Sequence, residues 1–137
     1  GIEQGFTYAS SIADEAIIVV NLDLATLRDN DRVIGLLLKK GIHDLKLIVN
    51  RVNIEDIEDG RSLSIDDALD ILSLPLLGIV YDDHEMIEAN NRGRPVYLLK
   101  GHLLHECFDN IAHRLLGHKR AFAKCKRRGL LSRIFLG

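Results

Sequence analysis

Three short polar stretches in this chain each follow an apolar run: Asn21 after "EAIIVV", Asn50-Arg51 after "LKLIV", and Tyr81-Asp82-Asp83 after "LLGIV". If the runs are neighbouring strands, their polar exits share one edge, an arrangement that suits a nucleotide or a similar ligand. A second set is His102, His105, Cys107, His113 and His118. His102 and His105 stand three apart and would share a helix face, but Cys107 would point elsewhere. No C-x-x-C or H-E-x-x-H occurs, so the spacing assembles no zinc site. Cys125, between Lys124 and Lys126, is expected to be an exposed tail thiol. No spacing supports a nucleophile with its base, and no G-x-x-x-x-G-K-[ST] phosphate loop is present.

The elements that would position these groups alternate. Residues 15–20, 45–50 and 76–81 are short continuous apolar runs rich in β-branched residues, which reads as strands buried on both faces. Between them, residues 26–40 are helical and stop at Gly41. Residues 64–72 open on "SIDD", where Ser64 is an N-cap and Asp66 and Asp67 favour the positive helix end. A short helix over 83–90 ends near Gly93 and Pro95. A last one over 102–116 buries a stripe of Leu103, Leu104, Phe108, Ile111, Ala112, Leu115 and Leu116. Strand and helix in alternation predict an α/β fold, a parallel sheet flanked by helices.

The 137 residues suit one compact domain, and two separated cysteines suggest a reducing, cytoplasmic compartment rather than a disulfide framework. Charge divides the chain. From Lys119 onward there are seven basic and no acidic residues, so the net charge of −2 combines −9 before that point with +7 after it. The boundaries expected are 1–117 for the α/β part, 118–128 for a basic linker and 129–137 for a short amphipathic helix. At 100° per residue, Leu130, Leu131, Ile134 and Phe135 share one face, while Ser132 and Arg133 point away. With Lys126, Arg127 and Arg128 beside it, this stub reads as an in-plane anchor for an anionic membrane. A nucleic-acid role is not expected, since no aromatic residues are interleaved with the basic ones.

Several stretches resemble the septum-site-determining MinD family of deviant-Walker P-loop ATPases, in the carboxy-terminal half only. "GIEQGF" resembles the end of the family's switch II. "ADEAIIVVNLDLATLRDNDRVIGLL" resembles its ADxAI strand, turn and V-R-D-x-D-R helix. "LIVNRV", "LSIDDALDILSLPLLGIVYDD", "NRGRPV" and "IAHRLLG" follow in register, and "GLLSRIFLG" is similar to its membrane-targeting helix.

The resemblance implies a P-loop NTPase-type sheet, ATP with Mg2+ in the complete protein, ATP-dependent homodimerisation and reversible membrane attachment. It also implies recruitment of a MinC-type division inhibitor and, in some lineages, a MinE-type regulator. The expected location is cytoplasmic, peripheral on the inner face of the cell membrane, or in a plastid at the stromal side of the inner envelope. Carried onto this chain, Asn50 offers its amide to the adenine edge and Arg51 packs against ring or ribose. Asp82 and Asp83 fall on the loop closing over the base, and Gly1 and Glu3 at the switch near the γ-phosphate. Arg28, Asp29 and Asp31 fall on the helix face used for dimer and partner contacts. On residues alone, those three make a solvated face with local ion pairs.

Two positions depart from the family pattern. Leu22 replaces a turn proline, and Tyr81 replaces the proline after the third strand, where its ring could stack on adenine. Both changes predict looser positioning of the base. Lacking a phosphate loop, the chain by itself is expected neither to bind nor to hydrolyse ATP. The other reading is a non-catalytic or degenerate membrane-binding or interaction module.

Overall fold

A computed structural model describes residues 2–125. The expectations for Gly1, Lys126, Arg127, Arg128, Leu130, Leu131, Ile134 and Phe135 lie outside the described residues.

The chain begins with helix α1 (Ile2–Ile12), then strand β1 (Glu15–Val20), α2 (Leu24–Lys39), β2 (Asp44–Val52), α3 (Ile54–Glu58) and α4 (Ile65–Leu72). It continues through β3 (Leu76–Tyr81), α5 (His84–Asn91), a 3-10 turn (Val96–Leu98) and α6 (Leu103–Leu115). Helices α2, α4, α5 and α6 each start where a side chain satisfies a free backbone N–H. Asp23 accepts from the Thr26 amide to open α2, and Ser64 and Asp67 form a reciprocal capping box at α4. Helix α1 docks on the turn after α2: the Lys40 ammonium donates to Ser10 Oγ at 2.8 Å and lies 5.3 Å from the centre of the Phe6 ring.

The three strands form one parallel sheet in the order β1-β2-β3. Residues paired across a sheet point to the same side, so the register separates its two faces. Val20, Val49 and Ile79 form one row, all buried, with the largest exposure 9%. The adjacent row, Val19, Ile48 and Gly78, belongs to the other face. Along it Val19 is 53% exposed, Ile48 is half-buried and Gly78 is buried. The expectation that all three strands are buried on both faces therefore holds for β3 and fails for β1. Helix α6 covers this face at β3, whereas at β1 it is left largely open, with Ile17 exposed as well as Val19.

Gly78 explains how α6 comes so close. A Cβ built there would lie 2.1 Å from Ile111 Cγ1 of α6, so only glycine admits this approach. Leu47 and Val49 of β2, Leu27 of α2 and Leu104 and Cys107 of α6 are almost fully buried and make the centre of the core. Leu22, at the expected turn proline, is 6% exposed, and its carbonyl accepts from the Leu63 amide at 3.1 Å. An apolar side chain in the core and a cross-loop hydrogen bond hold that turn.

Candidate functional site

The half-covered face of the sheet forms a cleft of about 570 Å³. Its floor is Val19, Ile48 and Val80, one from each strand, and its apolar walls are Met86 and Ile87 of α5 with Phe108 and Ile111 of α6. Along the rim stand Asn50, Arg51, Tyr81, Asp82 and Asp83. Five residues named from the sequence thus come together, from two strand ends that are adjacent only after β2 and β3 pair.

The geometry there differs from a simple strand exit. Strand β2 runs on to Val52, and its register against β3 shifts between Val49 and Val52. Arg51 lies inside the shift with φ of +53°, a left-handed conformation uncommon for a residue with a Cβ. A bulge of this kind re-aims a side chain without ending the strand. Arg51 Nε sits 3.4 Å from Asp82 Oδ1, an exposed pair across the two strand ends. Asp83 serves as N-cap of α5, accepting from the Glu85 amide at 2.9 Å, and His102 Nε2 lies 3.7 Å from its other oxygen. The Asn50 side-chain amide makes no hydrogen bond to another described residue.

Tyr81 is 9% exposed, and its hydroxyl donates to the carbonyl of Ala123 at 2.7 Å. Burial, before any other cause, raises the pKa of this phenol, and it likewise raises that of the neighbouring Cys107 thiol. Arg114 fastens the same C-terminal segment: its guanidinium donates to the carbonyls of Leu76, Leu77 and Arg120 and stacks 4.1 Å from the Phe122 ring centre.

The remaining named residues lie elsewhere. Glu3 is exposed in the first turn of α1 and does not line the cleft; nor does the half-buried Asn21. Arg28, Asp29 and Asp31 are exposed on α2, where Asp29 faces Arg32 at 3.8 Å. His102 caps α6 through Nδ1, and His105 Nδ1 bonds the Tyr97 carbonyl, so neither shares a ligand set with the buried Cys107. The walls contributed by Met86, Ile87 and Phe108 were not foreseen as site residues; Phe108 had been placed in a buried helix stripe. No helix among the described residues is long and apolar enough to cross a membrane.

An apolar floor with a few polar groups at its rim can hold a small flat ligand, and comparison with known proteins bears on which. No protein-family model matches the chain. The septum site-determining protein MinD of Bacillus subtilis (strain 168) is 42% identical over 118 residues, 85% of this chain and 44% of its own length. That of Synechocystis sp. is 43% identical over 118 residues, again 85% of this chain and 44% of the relative. Among solved structures, the MinC:MinD cell division protein complex of Aquifex aeolicus superimposes with a TM-score of 0.84 at 39% identity, over 94% of this chain and 52% of that one.

This chain is homologous to the carboxy-terminal half of MinD.

It spans about half the length of the curated MinD relatives it matches. MinD of Pyrococcus horikoshii, solved with Mg-ADP, superimposes with a TM-score of 0.64 at 27% identity, over 75% of this chain and 41% of that one. The three-stranded parallel sheet and its helices correspond to the carboxy-terminal part of the MinD fold. The uncovered face of β1 thus occurs in a chain that corresponds to half of a larger sheet-and-helix unit.

Proposed function

We propose that this chain supplies the base-binding side of a MinD-type ATP site in a protein that helps to place the division septum. The observation that carries the reading is the convergence of Asn50, Arg51, Asp82 and Asp83 around the apolar floor of Val19, Ile48 and Val80. Nucleotide pockets combine such a floor with a few polar groups that fix orientation. Adenine would be held by the Asn50 amide, with Arg51 against ring or ribose and the Tyr81-Asp82-Asp83 turn closing over the base. These residues supply nothing for phosphate or Mg2+. In the proposed whole protein, the phosphate loop, the metal and the switch residues next to Glu3 come from the half that packs over β1. ATP would then drive homodimerisation and hydrolysis would reverse it.

The exposed α2 face bearing Arg28, Asp29 and Asp31 is proposed to meet the dimer partner or a MinC-type inhibitor, in keeping with the Aquifex complex, and a MinE-type regulator where one exists. The basic and apolar residues from Lys126 to Phe135 are proposed to grip an anionic membrane from its cytoplasmic or stromal side. Two weak anchors joined in a dimer share one immobilisation cost and hold far better than one.

Adenosine tests the base subsite in this chain, because it needs no phosphate cradle. Titration followed by amide NMR is expected to shift Asn50, Arg51 and Asp82 with millimolar affinity, corresponding to about −4 kcal/mol. Shifts confined to other residues, or none, would remove the assignment. Cosedimentation with anionic vesicles tests the tail, and Leu131→Glu is expected to abolish it while leaving the fold intact. Vesicle binding without any adenosine response would favour the second reading, a membrane-binding module with no nucleotide.

A further inference from the structure

The geometry points to a transition-metal site formed by His113 and His118, apart from the cleft. Helix α6 ends at Leu115, and Gly117 follows in the left-handed conformation with φ of +86°. The His118 amide donates to the His113 carbonyl at 2.9 Å, closing the turn that commonly ends helices in this way. Such a turn brings the side chain three residues past the last helical residue over the one that begins the last turn, and the contact is usually between apolar groups. Here both are imidazoles. Their Nδ1 atoms lie 2.9 Å apart, with ring centres at 5.2 Å and planes inclined by 36°.

Two imidazole nitrogens bound cis to one ion, each 2.0–2.1 Å from it, stand roughly 2.9–3.4 Å apart. The observed separation falls at the short end of that span, and the backbone turn keeps the two residues side by side. With no ion, one Nδ1 donates a proton to the other. With an ion, both Nδ1 lone pairs face the metal and the protons reside on Nε2. His113 Nε2 faces Asp109 Oδ1 at 3.8 Å, so the carboxylate that commonly orients a ligating histidine is already beside it. Arg120 lies 3.6 Å from the second Asp109 oxygen, and Arg114 is committed to backbone carbonyls. Water would complete the coordination of Zn2+ or Cu2+.

A competing cluster exists on α5, where ligand atoms of His84, Glu85 and Glu88 lie within 4.8 Å of one another. Its Glu88 is paired with Arg92 at 3.6 Å, and no turn fixes its side chains. The two clusters are separated by one experiment.

Zn2+ is titrated calorimetrically into the chain and into His113→Gln, His118→Gln, Asp109→Asn and His84→Gln, with 15N shifts of the histidine rings recorded in parallel. One ion per chain is expected, with His113 and His118 both shifting at Nδ1. Either substitution of these two should weaken binding at least ~10-fold, and Asp109→Asn roughly 10-fold through orientation of His113. His118→Cys should keep the ion, which a merely structural role for His118 would not predict. His84→Gln should change nothing. Absence of saturable binding overturns the proposal, as does binding that survives both His113→Gln and His118→Gln.

Discussion

The Tyr81 hydroxyl donates to the carbonyl of Ala123 across 42 residues of chain, in a buried hydrogen bond of 2.7 Å. It joins the end of β3, at the rim of the cleft, to the basic C-terminal segment. The MinD resemblance expects proline here. Proline would fix a loop locally, whereas tyrosine fixes it by reaching another part of the chain.

Tyr81→Phe keeps the ring and removes that donor. A hydrogen bond of this kind contributes about 1 kcal/mol net, and a carbonyl left dry costs about 1–3 kcal/mol. Urea unfolding should therefore show a loss in that range with an unchanged slope. A loss below about 0.3 kcal/mol would mean that water replaces the hydroxyl at Ala123.

Alkaline pH should weaken the fold in two stages. Burial raises the pKa of the Cys107 thiol and of the Tyr81 phenol, so each ionises more readily when unfolded. Their contributions are fully present below the ordinary values of 9.0 and 10.0 and are lost as pH rises through the raised ones. Denaturant midpoints measured from pH 7 to 11 should be level at first and then fall. Cys107→Ala should flatten the first part of the fall and Tyr81→Phe the second; an identical profile in both variants would count against this account.

Gly78→Ala sets a methyl group against Ile111, at 2.1 Å from Cγ1 and 2.8 Å from Cδ1. Overpacking in a core costs about 1–3 kcal/mol, and here α6 would have to lift from β3. Trimming Ile111→Ala destabilises by itself but should recover part of the loss in the double variant. Strict additivity in that cycle would show that the clash is relieved elsewhere.

Arg51 combines a strained backbone with a side chain at the cleft. Arg51→Gly relieves the left-handed strain at φ +53° and gives up an exposed ion pair with Asp82 that contributes at most about 1 kcal/mol. Thermal unfolding should place Arg51→Gly within about 1 kcal/mol of the parent, and Arg51→Ala below it, since alanine keeps the strain. Adenosine binding should weaken in both. Equal binding by all three would remove Arg51 from the site.

Much of this architecture is local and was therefore readable from the chain. Apolar β-branched runs marked all three strands, and Ser64 with Asp67 marked the start of α4, because caps and strand propensity depend on residues a few positions apart. Polar residues after those runs gave most of the cleft rim, and the MinD resemblance agreed with the curated relatives. Helix α1 was missed because Lys40, far along the chain, supplies its docking contact. The bulge at Arg51 arises from how β2 registers against β3, and the openness of β1 from what does not lie over it. Tyr81 found Ala123, and His113 found His118, only once distant or turn-related backbone had been brought together. Sequence by itself determined the three strands, the helices α2, α4, α5 and α6, and which family they match. Tertiary structure decided which faces stay open and which side chains meet, because burial and contact belong to pairs of elements, and no single element carries them.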